Sequence, residues 1–288
     1  MKFKPWLQLI RLPNGFSAIS NVVAAFLIAT QANGDIGQLF ILVCASLCFF
    51  HGGMVLNDCF DFKEDSRERP SRPLPSGAIK QTNAWKVGFG LLVCGLGLCY
   101  LLGKQSFYIG LALAINIVLY DAIRHQGWLA ALLMGGCRYL NWLLGLSVIE
   151  LSPLWALLPL PLLAYIVAVT LLSQQETKAS SPNKLWQVAL ALSVSQILLV
   201  ALWFGQTVHG YLFLLMSLSA WLMLMLKLRY LYQNFTPKSV KQQVIMLLKG
   251  IVPFDALLLI AAGLPLAALA LLLLMLPGGF LAKRIYMT

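Results

Sequence analysis

The chain has 288 residues, 60% of them hydrophobic and only 11% charged, with a mean hydropathy of +0.81. A soluble domain carries about 25% charged residues, so this composition excludes a soluble enzyme and places the chain in a bilayer. The net charge of +11 is then mostly a topology signal, with attraction to anionic head groups or an anionic substrate added, and it requires no nucleic acid partner.

A hydrocarbon core needs roughly 20 apolar residues per helix. In chain order such stretches run over 16–30, 39–56, 84–102, 107–120, 129–149, 154–172, 185–204, 211–227, 244–262 and 264–281. The sequence therefore predicts an all-α integral membrane protein of nine or ten spans, a single transmembrane domain over 1–288. The last pair is ambiguous, because Lys249, Gly250, Pro253 and Asp255 interrupt the first of them and only Gly263 and Pro265 separate the two. A kinked hairpin, or one helix followed by a surface segment, fits this pattern. With the N-terminus (Lys2, Lys4, Arg11) in the cytoplasm, the even-numbered connections hold Lys63 to Lys86, Arg124, Lys178, Lys184 and Lys227 to Lys241, while the odd ones hold little beyond Lys104. That asymmetry puts the N-terminus and the charged connections on the cytoplasmic side of a bacterial inner membrane or its equivalent. The first apolar stretch leads into further spans without a small-residue cleavage site and is expected to stay.

In the first span Asn14, Ser17 and Asn21 form an i, i+3, i+7 polar row. Such a row fits a cavity-lining face or plain helix–helix hydrogen bonding. His51 fits either a satisfied helix polar group or a group behind Asp58. Between Asn57 and Gly77 lie five of the ten carboxylates of the chain. Asp58, Asp61 and Asp65 share one helical face. Like charges so close repel unless a cation sits among them, and Mg²⁺ takes one or two carboxylates, waters and substrate phosphate oxygens. The row predicts a metal-bridged diphosphate site. Arg69-Pro70-Ser71-Arg72-Pro73 follows, with prolines that end the helix and guanidiniums suited to bidentate phosphate contacts. Read alone, such a run is equally a solvated loop that obeys the topology rule.

Asn116, Tyr120 and Arg124 repeat at i, i+4, i+8 in the fourth span, and Arg138, Asn141 and Gly145 form a row in the fifth. An unpaired charge as deep as Arg138 costs at least ~2.5–3.5 kcal/mol, so a partner or a water-filled cavity is expected for it. The six cysteines lie mostly in apolar runs, where they act as small hydrophobes. Neither a disulfide framework nor a zinc or haem site is expected of them and of three scattered histidines.

Asn57-Asp58-x-x-Asp61-x-x-x-Asp65 with Arg69-Pro70-x-Arg72-Pro73-Leu74-Pro75-Ser76-Gly77 resembles the first aspartate-rich motif of the UbiA superfamily of intramembrane prenyltransferases. The proline-rich ending is most similar to the branch with chlorophyll synthase and the archaeal geranylgeranylglyceryl phosphate enzymes. The resemblance implies nine helices around a central cavity open to lipid, with two acidic motifs on cytoplasmic loops, here 57–83 and 173–184. It implies Mg²⁺ at Asp58, Asp61 and Asp65, a polyprenyl diphosphate donor in a lipid setting, and an acceptor that the sequence leaves unidentified. Asn14, Asn21, Asn57, Arg69, Asn116, Tyr120, Arg124, Arg138, Asn141, Tyr165, Ser173 and Lys178 are the implied substrate-binding positions, with Arg72 a catalytic countercharge.

The family's second motif carries two or three aspartates, but this chain reads Ser173-Gln174-Gln175-Glu176-Thr177-Lys178. Glu176 is then a metal ligand helped by Gln175 or Ser173, or Lys178 neutralises phosphate in its place, or the site no longer catalyses. The departure resembles the EboC-type UbiA-like branch, as does the run from Asp255 to Thr288. In the catalytic reading, aromatic faces such as Tyr120, Tyr139, Trp142 and Tyr165 stabilise an allylic cation. A non-catalytic lipid-diphosphate binding protein would explain the lone Glu176. A transporter would explain the many spans but leaves the acidic and basic block without a role.

Overall fold

Apolar runs free of internal proline become long helices, and the breaks fall where the backbone or a cap demands them. The computed structural model describes residues 3–123, 127–176, 182–207 and 210–273, all in helices and short turns with no strand among them. Helix α1 (Phe3–Leu9) ends at Arg11, which takes the left-handed conformation (φ 49°, ψ 49°) ahead of a 3₁₀ turn at Leu12–Gly15 and then α2 (Phe16–Thr30). Helix α3 (Ile36–Phe60) starts on Asp35, whose carboxylate accepts from the backbone N–H groups of Gly37 and Gln38 at 2.5 and 3.1 Å. That is an N-cap filling two orphan donors. At about 1.5 Å per residue, the 25 residues of α3 outrun a ~30 Å hydrocarbon core. Its last turns, with Asn57 and Asp58, are thus carried to the bundle end.

The remaining helices are α4 (Phe62–Glu68), α5 (Gln81–Leu102), α6 (Lys104–Ile123), α7 (Gly127–Leu146), α8 (Pro153–Leu157) and α9 (Leu160–Ser173). They are followed by α10 (Leu185–Trp203), α11 (Gly210–Gln233), α12 (Pro237–Lys249), α13 (Ile251–Ala261) and α14 (Pro265–Leu273). Among the described residues nine segments are long and apolar enough to cross a membrane, and they match the first nine predicted stretches. The ninth begins at Pro237 rather than 244. Thr236 and Ser239 form a capping box there, and Val240, Val244 and Leu247 bury one face of α12. Gly250 stays helical at φ −69°, ψ −13°, so α12 and α13 run on as one span. Pro253 falls in the first turn of α13, where a missing N–H is tolerated. Of the tenth predicted stretch, α14 is described to Leu273; the rest lies outside the described residues.

Helix α7 packs against α2, α6 and α9, while α3 lies along α5, α9 along α10, and α13 against α2 and α14. Close approach of α7 to α2 needs Gly145, where a Cβ would stand 2.6 Å from the Val22 carbonyl oxygen. The largest core gathers Trp142, Leu162, Ala168 and Leu258 around α9, and a second joins Phe49, Leu56, Leu92 and Leu113. A third, small core holds Leu9, Val55, Cys59, Leu74, Ile79 and Ala84. It pins α1 and the 69–80 segment to the end of α3. Helix α11 is the most exposed span, with Tyr211 and Leu215 turned outward, as suits a lipid-facing surface.

Candidate functional site

The aspartate row sits on a continuous helical path. Asp61 keeps near-helical dihedrals (φ −83°, ψ −4°) between α3 and α4, and its N–H donates to the Asn57 carbonyl while the Asp65 N–H donates to its own. The expected motif loop at 57–83 is therefore helical as far as Glu68 and irregular only from Arg69, because nothing in the sequence breaks the helix before Pro70. The aspartates are also more enclosed than a surface loop would leave them: Asp58, Asp61 and Asp65 are 6, 6 and 4% exposed.

Three guanidiniums offset that charge. Arg11 Nη2 donates to Asp58 Oδ1 at 2.9 Å, Arg72 Nη1 reaches Asp65 Oδ2 and lies 3.7 Å from Asp58 Oδ1, and Arg69 lies 3.9 Å from Asp65 Oδ1. The 69–80 segment is held in place for this by successive turns, with Arg72 N–H on the Arg69 carbonyl and Ile79 N–H on the Pro73 carbonyl. Its apolar residues Leu74 and Ile79 plug into the small core below, 3 and 5% exposed. Gly77 supplies the positive φ (73°) that lets the chain turn back. Arg11 adopts left-handed backbone geometry that costs a non-glycine residue roughly 1–2 kcal/mol, and its guanidinium lands on Asp58.

Asn57 connects this row to α6. Its Nδ2 donates to Asp121 Oδ1 at 3.1 Å, while Asp121 Oδ2 is buried with no hydrogen-bond partner. The second motif reaches the row through Arg69. Arg69, Glu176, Pro237, Lys238 and Lys241 line a cleft of about 350 Å³. Burial pushes the Glu176 carboxyl above the ordinary carboxylate range, and Lys241 and Arg69 pull it back. Beside it, Gln175 Oε1 is buried and unpartnered, while Ser173 donates to the Thr170 carbonyl of its own helix.

A separate polar cluster lies inside the bundle. Asp255 in α13 is fully buried and accepts from Ser20 and Asn21 at 2.7 Å each and from Trp142 Nε1 at 3.0 Å. Arg138 donates to Asn21 Oδ1 and to Ser17 Oγ, with its guanidinium carbon 5.4 Å from the Phe50 ring centroid. The Asn21 amide thus bridges a carboxylate and a guanidinium, which supplies the partner expected for Arg138.

The expected positions divide accordingly. Asn57, Asp58, Asp61, Asp65, Arg69 and Arg72 come together at one end of the bundle, with Glu176 at their margin. Asn21 and Arg138 belong to the internal cluster. Asn141 is spent on Ser46 and the Ala18 carbonyl, and Asn116 on the Leu133 carbonyl and Cys137 Sγ. Tyr165 is buried, donates to the Leu247 carbonyl and packs on Phe254, so it joins α9 to α12 and α13. Asn14 is exposed on the 3₁₀ turn, and Tyr120 is half-buried next to Asp121. Arg124 and Lys178 lie outside the described residues. His51 contacts the Ile10 carbonyl oxygen through Nδ1 at 2.8 Å, a satisfied helix polar group. Two residues escaped the sequence reading: Arg11, counted only as a topology charge, and Asp121, a carboxylate at the end of an apolar run, where its depth was the available signal.

Among the described residues no three His, Cys, Asp or Glu side chains converge as a metal-binding group. The donor chemistry nevertheless suits a hard cation. The carboxylates are oxygen donors on one face, and one buried carboxylate oxygen next to them has no partner. The arginines hold the row in its present spacing.

The model of the UbiA prenyltransferase family matches residues 18–251. Digeranylgeranylglyceryl phosphate synthase of Saccharolobus solfataricus is 27% identical over 161 residues, 51% of this chain and 57% of that protein. The enzyme of that name from Methanocaldococcus jannaschii is 39% identical over 97 residues, 33% of this chain and 34% of its own. The chain thus spans little more than half the length of these curated relatives, or less. A solved structure described for digeranylgeranylglyceryl phosphate synthase in membranes superposes with a TM-score of 0.69 at 20% identity, covering 91% of this chain and 99% of that one. A UbiA homolog from Archaeoglobus fulgidus bound to DMAPP and Mg²⁺ gives 0.62 at 14% identity, over 93 and 98%. At these identities the structures establish the fold.

Proposed function

This chain belongs to the UbiA prenyltransferase family, and we propose that it transfers a prenyl group from a polyprenyl diphosphate to an acceptor in the membrane, with Mg²⁺ as cofactor. The observation that carries this reading is the buried row Asp58, Asp61 and Asp65 at one end of an apolar bundle, with Arg11, Arg69 and Arg72 on its first and last members. Such an end receives a charged head group while leaving an isoprenoid tail in the apolar region.

Asp58, Asp61 and Asp65 would hold the cation, with Glu176 at the margin. Held there, a divalent cation would supply the positive charge that stabilises a departing diphosphate. Arg72 and Arg69, drawn between aspartate and phosphate oxygens, clamp and orient the head group by charge-assisted bonds. Arg11 holds Asp58 in place and keeps the row from repelling itself. The Leu74 and Ile79 plug fixes the arginine segment, so orientation is set before the donor arrives. Because Arg69, Glu176 and Lys241 line one cleft, the connections after the second and sixth spans and the start of the ninth span share a face. This supports one integral membrane domain with its N-terminus and motif segments in the cytoplasm. The relatives are named for a glyceryl phosphate product; the acceptor here is an aromatic ring, a polyol or a phosphorylated alcohol.

The test is calorimetric binding of geranylgeranyl diphosphate to purified protein, with and without Mg²⁺, in wild type and Asp61→Asn. Metal-dependent binding lost in the variant is the expected result. Folded protein that ignores donors of several chain lengths refutes the reading. Binding without transfer to any screened acceptor class moves the protein to the non-catalytic alternative that the lone Glu176 favours.

A further inference from the structure

Asp121 stands apart from every motif position, yet it touches the site. It is 4% exposed near the end of α6, and its Oδ1 accepts from Asn57. Asn57 directly precedes Asp58 and lies one helical turn before Asp61, whose N–H it receives. Asp58 and Arg11 are within electrostatic reach of Asp121. Among the described residues Asp121 Oδ2 is the one buried carboxylate oxygen without a hydrogen-bond partner. A buried, unpaired oxygen of that kind is costly unless a cation or donor completes it. Arg11 donates to Asp58 and Arg72 to Asp65, and neither hydrogen-bonds to Asp121 Oδ2.

We propose that Asp121 is a further ligand for the divalent cation of the aspartate row, entering from α6 and supplying carboxylate oxygen that the shortened second motif no longer provides. Asn57 sets its approach by fixing Oδ1, which leaves Oδ2 for the ion. This inference rests on the metal-dependent reading above, and the experiment separates the two.

Mn²⁺ serves as the probe, its affinity measured by electron paramagnetic resonance on wild type, Asp121→Asn and Asp61→Asn in detergent without donor. Asp121→Asn keeps an oxygen that accepts from Asn57, so a role confined to positioning Asn57 leaves affinity unchanged. Ligation costs 10–100-fold or more, the range seen even for groups behind a ligand. Helical circular dichroism checks that each variant is folded. A second variant reads contact directly: Asp121→Cys, in a Cys59→Ala background, titrated with Cd²⁺. A cadmium–thiolate charge-transfer band above that of the background protein supports ligation. Unchanged Mn²⁺ affinity in Asp121→Asn overturns it, as does lost affinity without the cadmium band, which makes Asp121 a remote charge. Wild type that binds no Mn²⁺ refutes the metal-dependent function itself.

Discussion

Replacing Asp255 by Ala removes the acceptor for three buried donors at once: Ser20, Asn21 and Trp142, at 2.7, 2.7 and 3.0 Å. Counted as soluble-protein orphans, three such donors cost about 1–3 kcal/mol each. Hydrogen bonds between membrane helices average only about 0.6 kcal/mol and reach about 1.7, so the bonds alone give roughly 2–5. Arg138, joined to Asp255 through the Asn21 amide, also loses the nearest opposite charge of the cluster, at a cost below the about 3–5 kcal/mol of a broken direct buried pair. These terms overlap rather than add, and a total of about 3–4 kcal/mol follows. The assay is reversible unfolding in mixed micelles against increasing dodecyl sulfate, read by tryptophan fluorescence, since Trp142 reports on the cluster. Arg138→Met added to Asp255→Ala should recover at least ~1 kcal/mol, because the second change removes the stranded charge. A single Asp255→Ala variant within about 0.5 kcal/mol of wild type would refute the argument that this network joins α2, α7 and α13.

Arg11→Gln leaves Asp58, whose side chain is 8% exposed, with Arg72 at 3.7 Å as its one remaining cation among the described residues. A loss of about 1–2 kcal/mol is expected, below a fully buried pair because Arg11 itself is 30% exposed; unchanged stability in the same unfolding assay contradicts it. Glu176 gives a pH signature. Its folded carboxyl lies above the ordinary 4.5, so ionisation is disfavoured by folding and destabilises above the folded value, while below the unfolded value the penalty vanishes. Glu176→Gln should therefore melt higher than wild type at pH 8, with the gap closing as pH falls through that window. A gap that widens in acid contradicts the assigned burial.

Much of the scaffold was legible because spans are encoded by contiguous apolar runs. The aspartate row was legible for the same reason: Asp58, Asp61 and Asp65 sit at local helical spacing, and Pro70 marks where the helix must stop. What escaped is made of long-range pairs. Arg11 meets Asp58 across 47 positions and Asn57 meets Asp121 across 64; no local periodicity carries either contact. Burial of the row was missed because charge density reads as exposure, whereas Leu74 and Ile79 pull the charged segment down onto the core. Tyr165 is a further long-range pair: the sequence offers it as an aromatic face for an allylic cation, and the fold sets its hydroxyl on the Leu247 carbonyl, 82 positions away.

The internal cluster also sets an order of events during synthesis. Ser20 and Asn21 precede their carboxylate by 235 and 234 positions, so the first span enters the bilayer long before its acceptor exists. At about 5–20 residues per second, the interval is on the order of ten to fifty seconds. Arg138 of the fifth span reaches Ser17 and Asn21 of the first without Asp255, whereas Ser20 and Trp142 wait for the ninth span to bring their acceptor. The polar cluster inside the bundle is thus begun by the first span and completed only by the ninth.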